Sequence, residues 1–111
     1  MNSRLKPTWL KVADAPERFN VVVNDYGIDI GKYGESDFII GDFITHGGDV
    51  IQRKIRLNQK SLLYLAEHKI APTESNLKDM LPGKELIFEI QKIGNFQALV
   101  VVGIVKGGKK E

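Results

Sequence analysis

The feature that most constrains the fold is a pair of apolar runs near the C-terminus, separated by a two-residue turn signal. Residues Glu85–Ile93 place alternate apolar side chains on one face, as a half-buried strand does. Gly94 and Asn95 then favour a tight turn, after which Phe96–Val105 returns as a second strand. Because residues 98–102 are apolar at every position, this returning strand is predicted to be buried on both sides or to lie in a closed barrel.

Three further strands are predicted earlier in the chain. Residues 19–24 alternate with period two, residues 38–44 are apolar on both faces, and residues 51–57 carry aliphatic side chains on one face only. The Gly-Gly pair within residues 46–49 predicts a hairpin between the second and third of these strands. Residues 26–34 contain three glycines, which fit either a strongly bent strand or a connecting loop.

The periodicity changes from strand to helix at Asn58. This residue is a good N-cap, and residues 59–69 carry a leucine and alanine stripe without glycine or proline. A second short helical turn is predicted over residues 73–81, ending before Pro82 and Gly83. The predicted order is therefore three strands, one main helix and two strands.

This order predicts an all-β (mainly β) fold, a five-stranded Greek-key barrel of the OB-fold type with one helix between strands 3 and 4. A small β-sandwich, or an α+β sheet packed on the helix, would use the same elements, and both alternatives remain open. The length of 111 residues predicts one domain over 1–111, with a flexible N-terminal arm at about 1–8 and a flexible tail at about 106–111.

The composition excludes several classes of protein. Without cysteine the chain has no disulfide framework, thiolate metal site or cysteine nucleophile, and a cytoplasmic (intracellular) location is expected. The apolar run 98–102 is too short to span a bilayer, so no membrane partner is expected. His46 and His68 have no metal-site spacing and belong to no nucleophile and base set, so we predict neither an enzyme nor a cofactor. The net charge of +2 permits a polyanionic partner.

Three segments carry a resemblance to a known family. Residues 9–14 read Trp-Leu-Lys-Val-Ala-Asp, residues 55–61 read Ile-Arg-Leu-Asn-Gln-Lys-Ser before the helix, and residues 82–84 read Pro-Gly-Lys. Together they resemble small OB-fold single-stranded DNA-binding proteins of phages, viruses and mobile elements. The chain departs from the family pattern at residues 59–61, where a threonine-asparagine helix start is typical, and at Val105, where a basic residue is common.

This resemblance implies single-stranded DNA binding, a role in DNA replication and a homo-oligomer such as a dimer. Binding a single strand requires cations along the phosphates and aromatic rings on which bases stack. In an OB-fold the ligand crosses the second and third strands, flanked by the loops after the first and fourth. The candidate nucleic-acid-binding residues at these places are Trp9, Tyr26, Tyr33, Phe43, Gln52, Lys54, Arg56, Lys92 and Phe96.

Structural alternatives stand beside these assignments. Whether Tyr26, Tyr33 and Phe43 are exposed or belong to the core is open. Lys and Arg on an exposed strand also protect a sheet from aggregation, and a tryptophan can close the end of a barrel. The aromatic residues that are expected to lie in the core, and not in the site, are Phe19, Phe38 and Phe88. The alternative function is an OB-fold protein-interaction or assembly module without catalytic activity. The alternative ligand is single-stranded RNA. Aspartates around the first two strands would repel the phosphates of either nucleic acid.

Overall fold

The computed structural model describes residues 8–32, 34–45 and 47–105, which form one six-stranded sheet and two α-helices. The elements are β1 (Thr8–Trp9), a 3-10 turn (Val12–Asp14), β2 (Arg18–Gly31), β3 (Gly34–Ile44), β4 (Val50–Leu57), α1 (Gln59–Glu67), α2 (Glu74–Met80), β5 (Glu85–Ile93) and β6 (Phe96–Val105). The strand order is β1-β4-β3-β2-β5-β6, and all neighbours are antiparallel except the parallel pair β1 and β4. Neither helix in these ranges is long and apolar enough to cross a membrane.

The mainly β fold, the five predicted strands and the helix after Asn58 are confirmed. The ambiguous segment 26–34 is strand up to Gly31, because β2 and β3 form one long hairpin. Two expectations differ from the structure. A sixth strand, β1, includes Thr8, which lies within the predicted flexible N-terminal arm. The sheet is also open rather than closed into a barrel, with β1 and β6 as its edges in the described chain. The rest of the arm and the tail lie outside the described residues.

A β-bulge sets which face of β2 is buried. Phe19, Val21 and Val23 point into the core at the two-residue spacing of a strand, but the next core residue is Tyr26, three positions later. The register with β3 shifts between Val23 and Asp25, which supplies the extra residue that this change of face requires. The bulge therefore keeps both halves of a 14-residue strand packed on one core.

The core lies between one face of the sheet and the two helices. Leu86 and Phe88 of β5 meet Leu65, Leu77 and Leu81 of the helical segment in a single buried cluster. The returning strand β6 is buried on both faces near its middle, as its apolar run predicted, since Leu99, Val100 and Val101 are all buried.

Helix α1 is joined to the edge strand β6 by side-chain hydrogen bonds. Asn58 caps the helix by accepting a bond from the Ser61 backbone N–H at 3.0 Å, and its Nδ2 donates to the Leu99 carbonyl at 3.0 Å. The buried Ser61 hydroxyl accepts a bond from the Val101 backbone N–H, also at 3.0 Å. These bonds satisfy backbone groups that an unpaired edge strand would expose.

Candidate nucleic-acid interface

Two aromatic rings and two cations meet on the face of the sheet opposite the core. The parallel pairing of β1 with β4 sets Trp9 beside Lys54, and the antiparallel pairing of β3 with β4 sets Phe38 beside Arg56. Since cross-strand partners lie on the same face, these four side chains form one group, here called the aromatic-cation cluster. Its residues come from three strands, so only the folded sheet assembles it.

The geometry of the cluster is that of cations packed on aromatic faces. The Trp9 and Phe38 rings are edge-to-face, 5.4 Å apart with a 70° interplanar angle. The Lys54 Nζ atom lies 4.4 Å from the Trp9 ring centre and 4.6 Å from that of Phe38, and the Arg56 Cζ atom lies 4.5 Å from Trp9. Each such contact is worth about 0.5–1 kcal/mol at an exposed site, which holds the two charges in place.

Arg56 has two further partners on the β2–β3 hairpin. Its Nη1 donates a hydrogen bond to the Ser36 hydroxyl, and its Nη2 lies 3.6 Å from Asp29 Oδ2. Asp29 and Ser36 are themselves cross-strand partners, so the hairpin presents both oxygens to the guanidinium together. The Arg56 side chain is 48% exposed and that of Asp29 38% exposed, which leaves the charged ends accessible to solvent.

A groove of about 530 Å³ begins at the cluster and runs to the β5–β6 hairpin. Its lining residues are Trp9, Leu10, Val12, Arg56, Asn58, Gln59, Lys60, Ile93, Phe96, Gln97, Ala98 and Leu99. Trp9 and Arg56 belong to both the cluster and the groove, and Phe96, with 66% of its surface exposed, stands at the far end. As far as the described residues form it, the lining is mostly apolar, carries the two cations Arg56 and Lys60, and contains no acidic residue.

The structure brings together part of the set predicted from sequence. Trp9, Lys54 and Arg56 are in contact, and Phe96 shares the groove with two of them. Gln52 is exposed on the same face of β4, opposite Asp42 of β3. Lys92 is exposed on the β5–β6 hairpin opposite Gln97, outside the residues that line the groove.

Two predicted site residues lie in the core instead. Phe43 is 2% exposed and packs on Phe19 with ring centres 5.0 Å apart, and Tyr26 is 5% exposed. A base cannot stack on a ring that is already enclosed, so neither belongs to a ligand surface. Tyr33, the third aromatic residue of this group, lies outside the described residues.

Sequence reasoning missed Phe38, which was expected in the core with Phe19 and Phe88. The latter two are buried, as predicted, but Phe38 is half-buried on the outer face. A signal was present in the spacing, because Phe38 and Phe43 are an odd number of residues apart on one strand and must point to opposite faces. The ring covers Gly27 of β2, its cross-strand partner, where an added Cβ would approach Phe38 Cζ to 2.7 Å.

The buried Tyr26 makes the protein sensitive to alkaline pH. Burial raises the pKa of its hydroxyl above the ordinary value near 10, and the hydrogen bond donated to Asp37 raises it further. Above pH 10 the unfolded chain releases this proton while the folded protein keeps it. The free energy of unfolding is therefore expected to fall as pH rises from about 10 through the raised pKa.

Tyr26→Phe is expected to remove this contribution. At neutral pH the variant loses about 1 kcal/mol with the hydrogen bond, but the difference from wild type shrinks above pH 10. Urea unfolding at pH 8, 10 and 11 measures both values. Tyr64→Phe is the matched control and keeps the wild-type alkaline decline, because Tyr26 is intact. An unchanged gap between wild type and Tyr26→Phe across this range would contradict the assignment.

Comparisons with known proteins add no assignment, since neither the models of known families nor the curated proteins give a match. Among the residues that the structure describes, no three His, Asp or Glu side chains are grouped so as to hold a metal ion. Fold and site together define a mainly β protein with a cationic, aromatic face continuous with an apolar groove.

Proposed function

We propose that this protein binds single-stranded DNA with little dependence on sequence, as an OB-fold-like domain. The observation that carries the proposal is the aromatic-cation cluster, where Lys54 and Arg56 are held against Trp9 and Phe38 on an accessible face. The mainly β fold shares strands with that architecture, because an OB-fold is a partly open five-stranded Greek-key barrel that binds oligonucleotides on the face of its strands 2 and 3, although the sheet here is open. The second and third of the five strands predicted from sequence are β3 and β4, and they carry three of the four cluster residues.

In this proposal the strand lies across the outer face and enters the groove. Lys54, Arg56 and Lys60 neutralise phosphates, while bases stack on the exposed surface of Trp9 and on Phe96. Stacking on an aromatic side chain is worth about 1–3 kcal/mol per base and accepts any base, because every base has a π-face. Charge and stacking therefore give affinity without base-specific hydrogen bonds.

The double variant Lys54→Ala/Arg56→Ala tests the proposal. We expect it to weaken binding of a fluorescein-labelled oligothymidylate at least about 10-fold in low salt, since two phosphate contacts are lost. The wild-type affinity is expected to fall as salt rises from roughly 50 to 200 mM, and the variant's salt dependence to be shallower. Fluorescence anisotropy of the labelled strand measures both, and single-stranded RNA of matched length compares the two ligands.

The matched control is Lys69→Ala/Lys78→Ala, which removes the same charge from exposed positions around the helices. It should bind within about twofold of wild type if the location of the charges matters. Equal losses in the two double variants would indicate a nonspecific charge effect. Absence of wild-type binding at low salt, or binding that does not respond to salt, would reject the proposal.

An assembly module is the second candidate, favoured by exposed aliphatic residues at the end of the β3–β4 hairpin. Ile44 and Val50 are cross-strand partners and are 63% and 66% exposed. Exposed apolar neighbours of this kind are typical of protein contacts. Ile44→Lys would shift the oligomer size in light scattering under this alternative. The assembly candidate is preferred if Lys54→Ala/Arg56→Ala leaves DNA affinity unchanged while oligomer size changes.

A further inference from the structure

We propose that Asp29 takes the place of a nucleic-acid phosphate on Arg56 in the unliganded protein, and that a bound strand displaces it. This inference rests on the proposed function, because a phosphate is the group exchanged. In this arrangement the Asp29 carboxylate competes with a phosphate for Arg56. The affinity of the protein for a strand is therefore lower than its cations alone would give.

The contacts of Arg56 resemble those of a phosphate-bound guanidinium. A phosphate offers several oxygens to the donor fork of an arginine. The β2–β3 hairpin offers two, the carboxylate of Asp29 and the hydroxyl of Ser36, side by side because these residues are cross-strand partners. The guanidinium carbon lies over the Trp9 ring, so its position is kept when one oxygen ligand is exchanged for another.

The ion pair is of a kind that is easily exchanged. The Nη2 to Oδ2 distance of 3.6 Å is longer than a hydrogen bond, and both side chains are more than one-third exposed. Exposed ion pairs of this kind contribute little to stability. Lys54 differs, since in the described part of the chain no carboxylate lies within salt-bridge distance of it. Asp29 therefore attenuates one of the two cluster cations selectively.

Asp29→Asn is expected to increase affinity for a single strand about 3- to 10-fold at low salt, because the phosphate no longer competes with a carboxylate. The plot of log affinity against log salt should also become steeper by about 0.7, the value for one additional phosphate neutralised on a single strand. Asparagine keeps the size of the side chain and one oxygen acceptor for Arg56, while it removes the charge and replaces the second oxygen by an amide NH2.

The experiment measures anisotropy of a labelled oligothymidylate between roughly 50 and 200 mM salt for wild type, Asp29→Asn, Asp29→Ser and Glu35→Gln. Glu35→Gln is the matched control, because it removes the same charge from an exposed position on the same hairpin, opposite Ile30. Among the ion pairs of the described residues, none joins Glu35 to Arg56. Glu35→Gln should bind within about twofold of wild type. Asp29→Ser also removes the charge and should show the same gain as Asp29→Asn, which guards against an effect of one particular side chain.

Each outcome is decisive. Tighter binding with a steeper salt dependence in both Asp29 variants, but not in Glu35→Gln, supports the exchange. Equal or weaker binding of the Asp29 variants, with wild type bound, overturns it and makes Asp29 a positioning residue for Arg56 while the proposed function stands. An equal gain in Glu35→Gln overturns it as a general charge effect. No binding by wild type rejects the proposed function itself, and the exchange with it.

Discussion

Gly41→Ala is expected to lower the free energy of unfolding by about 3 kcal/mol, because strands β2 and β3 approach too closely for a side chain at this position. An added Cβ would overlap Val21 Cγ1 and lie 2.9 Å from the Val22 carbonyl oxygen. The carbonyl is backbone within a paired strand, so it cannot rotate away as a side chain can. A loss of this size is a large fraction of the 5–15 kcal/mol typical of a domain. Urea unfolding followed by circular dichroism measures it.

Gly47→Ala is the control for this prediction. The nearest atoms to an added Cβ there are at 3.8 and 3.9 Å, which is ordinary van der Waals contact. Its stability is expected to remain within about 0.5 kcal/mol of wild type. If Gly41→Ala and Gly47→Ala unfolded at the same urea concentration, the inference that β2 and β3 are too close at Gly41 for a side chain would be contradicted.

Asn58→Ala is expected to lower the free energy of unfolding by about 2–3 kcal/mol. The helix loses its N-cap, worth about 1 kcal/mol, and the Leu99 carbonyl of β6 loses its donor, which costs a further 1–2 kcal/mol. Thermal and urea unfolding measure the change. Thr73→Ala is the matched control, because Thr73 also caps a helix but makes no bond to the sheet, and it should cost about 1 kcal/mol or less.

Asn58→Asp separates the two roles of this residue. Aspartate caps a helix as well as asparagine does, but it has no amide to donate to the Leu99 carbonyl and places an acceptor opposite it. We therefore expect a substantial loss in this variant too. Wild-type stability of Asn58→Asp would mean that Asn58 acts only as a cap and that the link to β6 is not important.

Much of the fold could be predicted because it depends on local patterns. The change of period at Asn58 gave the helix start, and the Gly94-Asn95 signal gave the last turn, where Gly94 has a φ of 62°. On β4 the alternation correctly placed Gln52 and Arg56 outward. Lys54 also points outward, but it is half-buried because the two rings cover it.

The rest depended on contacts between distant segments. Trp9 reaches the site only through a parallel pairing of β1 with β4, which no local pattern indicates. The bulge after Val23 changes the face of Tyr26, so alternation along β2 could not decide whether that ring was exposed. The open edge of the sheet likewise depends on where α1 packs. The side chains of Asn58, the N-cap, and Ser61, in the helix, form hydrogen bonds with backbone groups of β6.

Under the proposed function, the pairing of β1 with β4 would be linked to ligand binding, because β1 carries Trp9. Among the described residues, Thr8 and Trp9 pair with β4, and the Leu10 N–H donates one further bond to the Lys54 carbonyl at 2.9 Å. Pairs at the edge of a sheet open at a lower free energy than the one that unfolds the whole domain, and we expect this of the described β1 pairs. Under the proposed function, a strand that stacks on Trp9 would bind the attached form and stabilise it by mass action. Part of the binding free energy of the strand would then stabilise the pairing of β1, which carries Trp9, with β4.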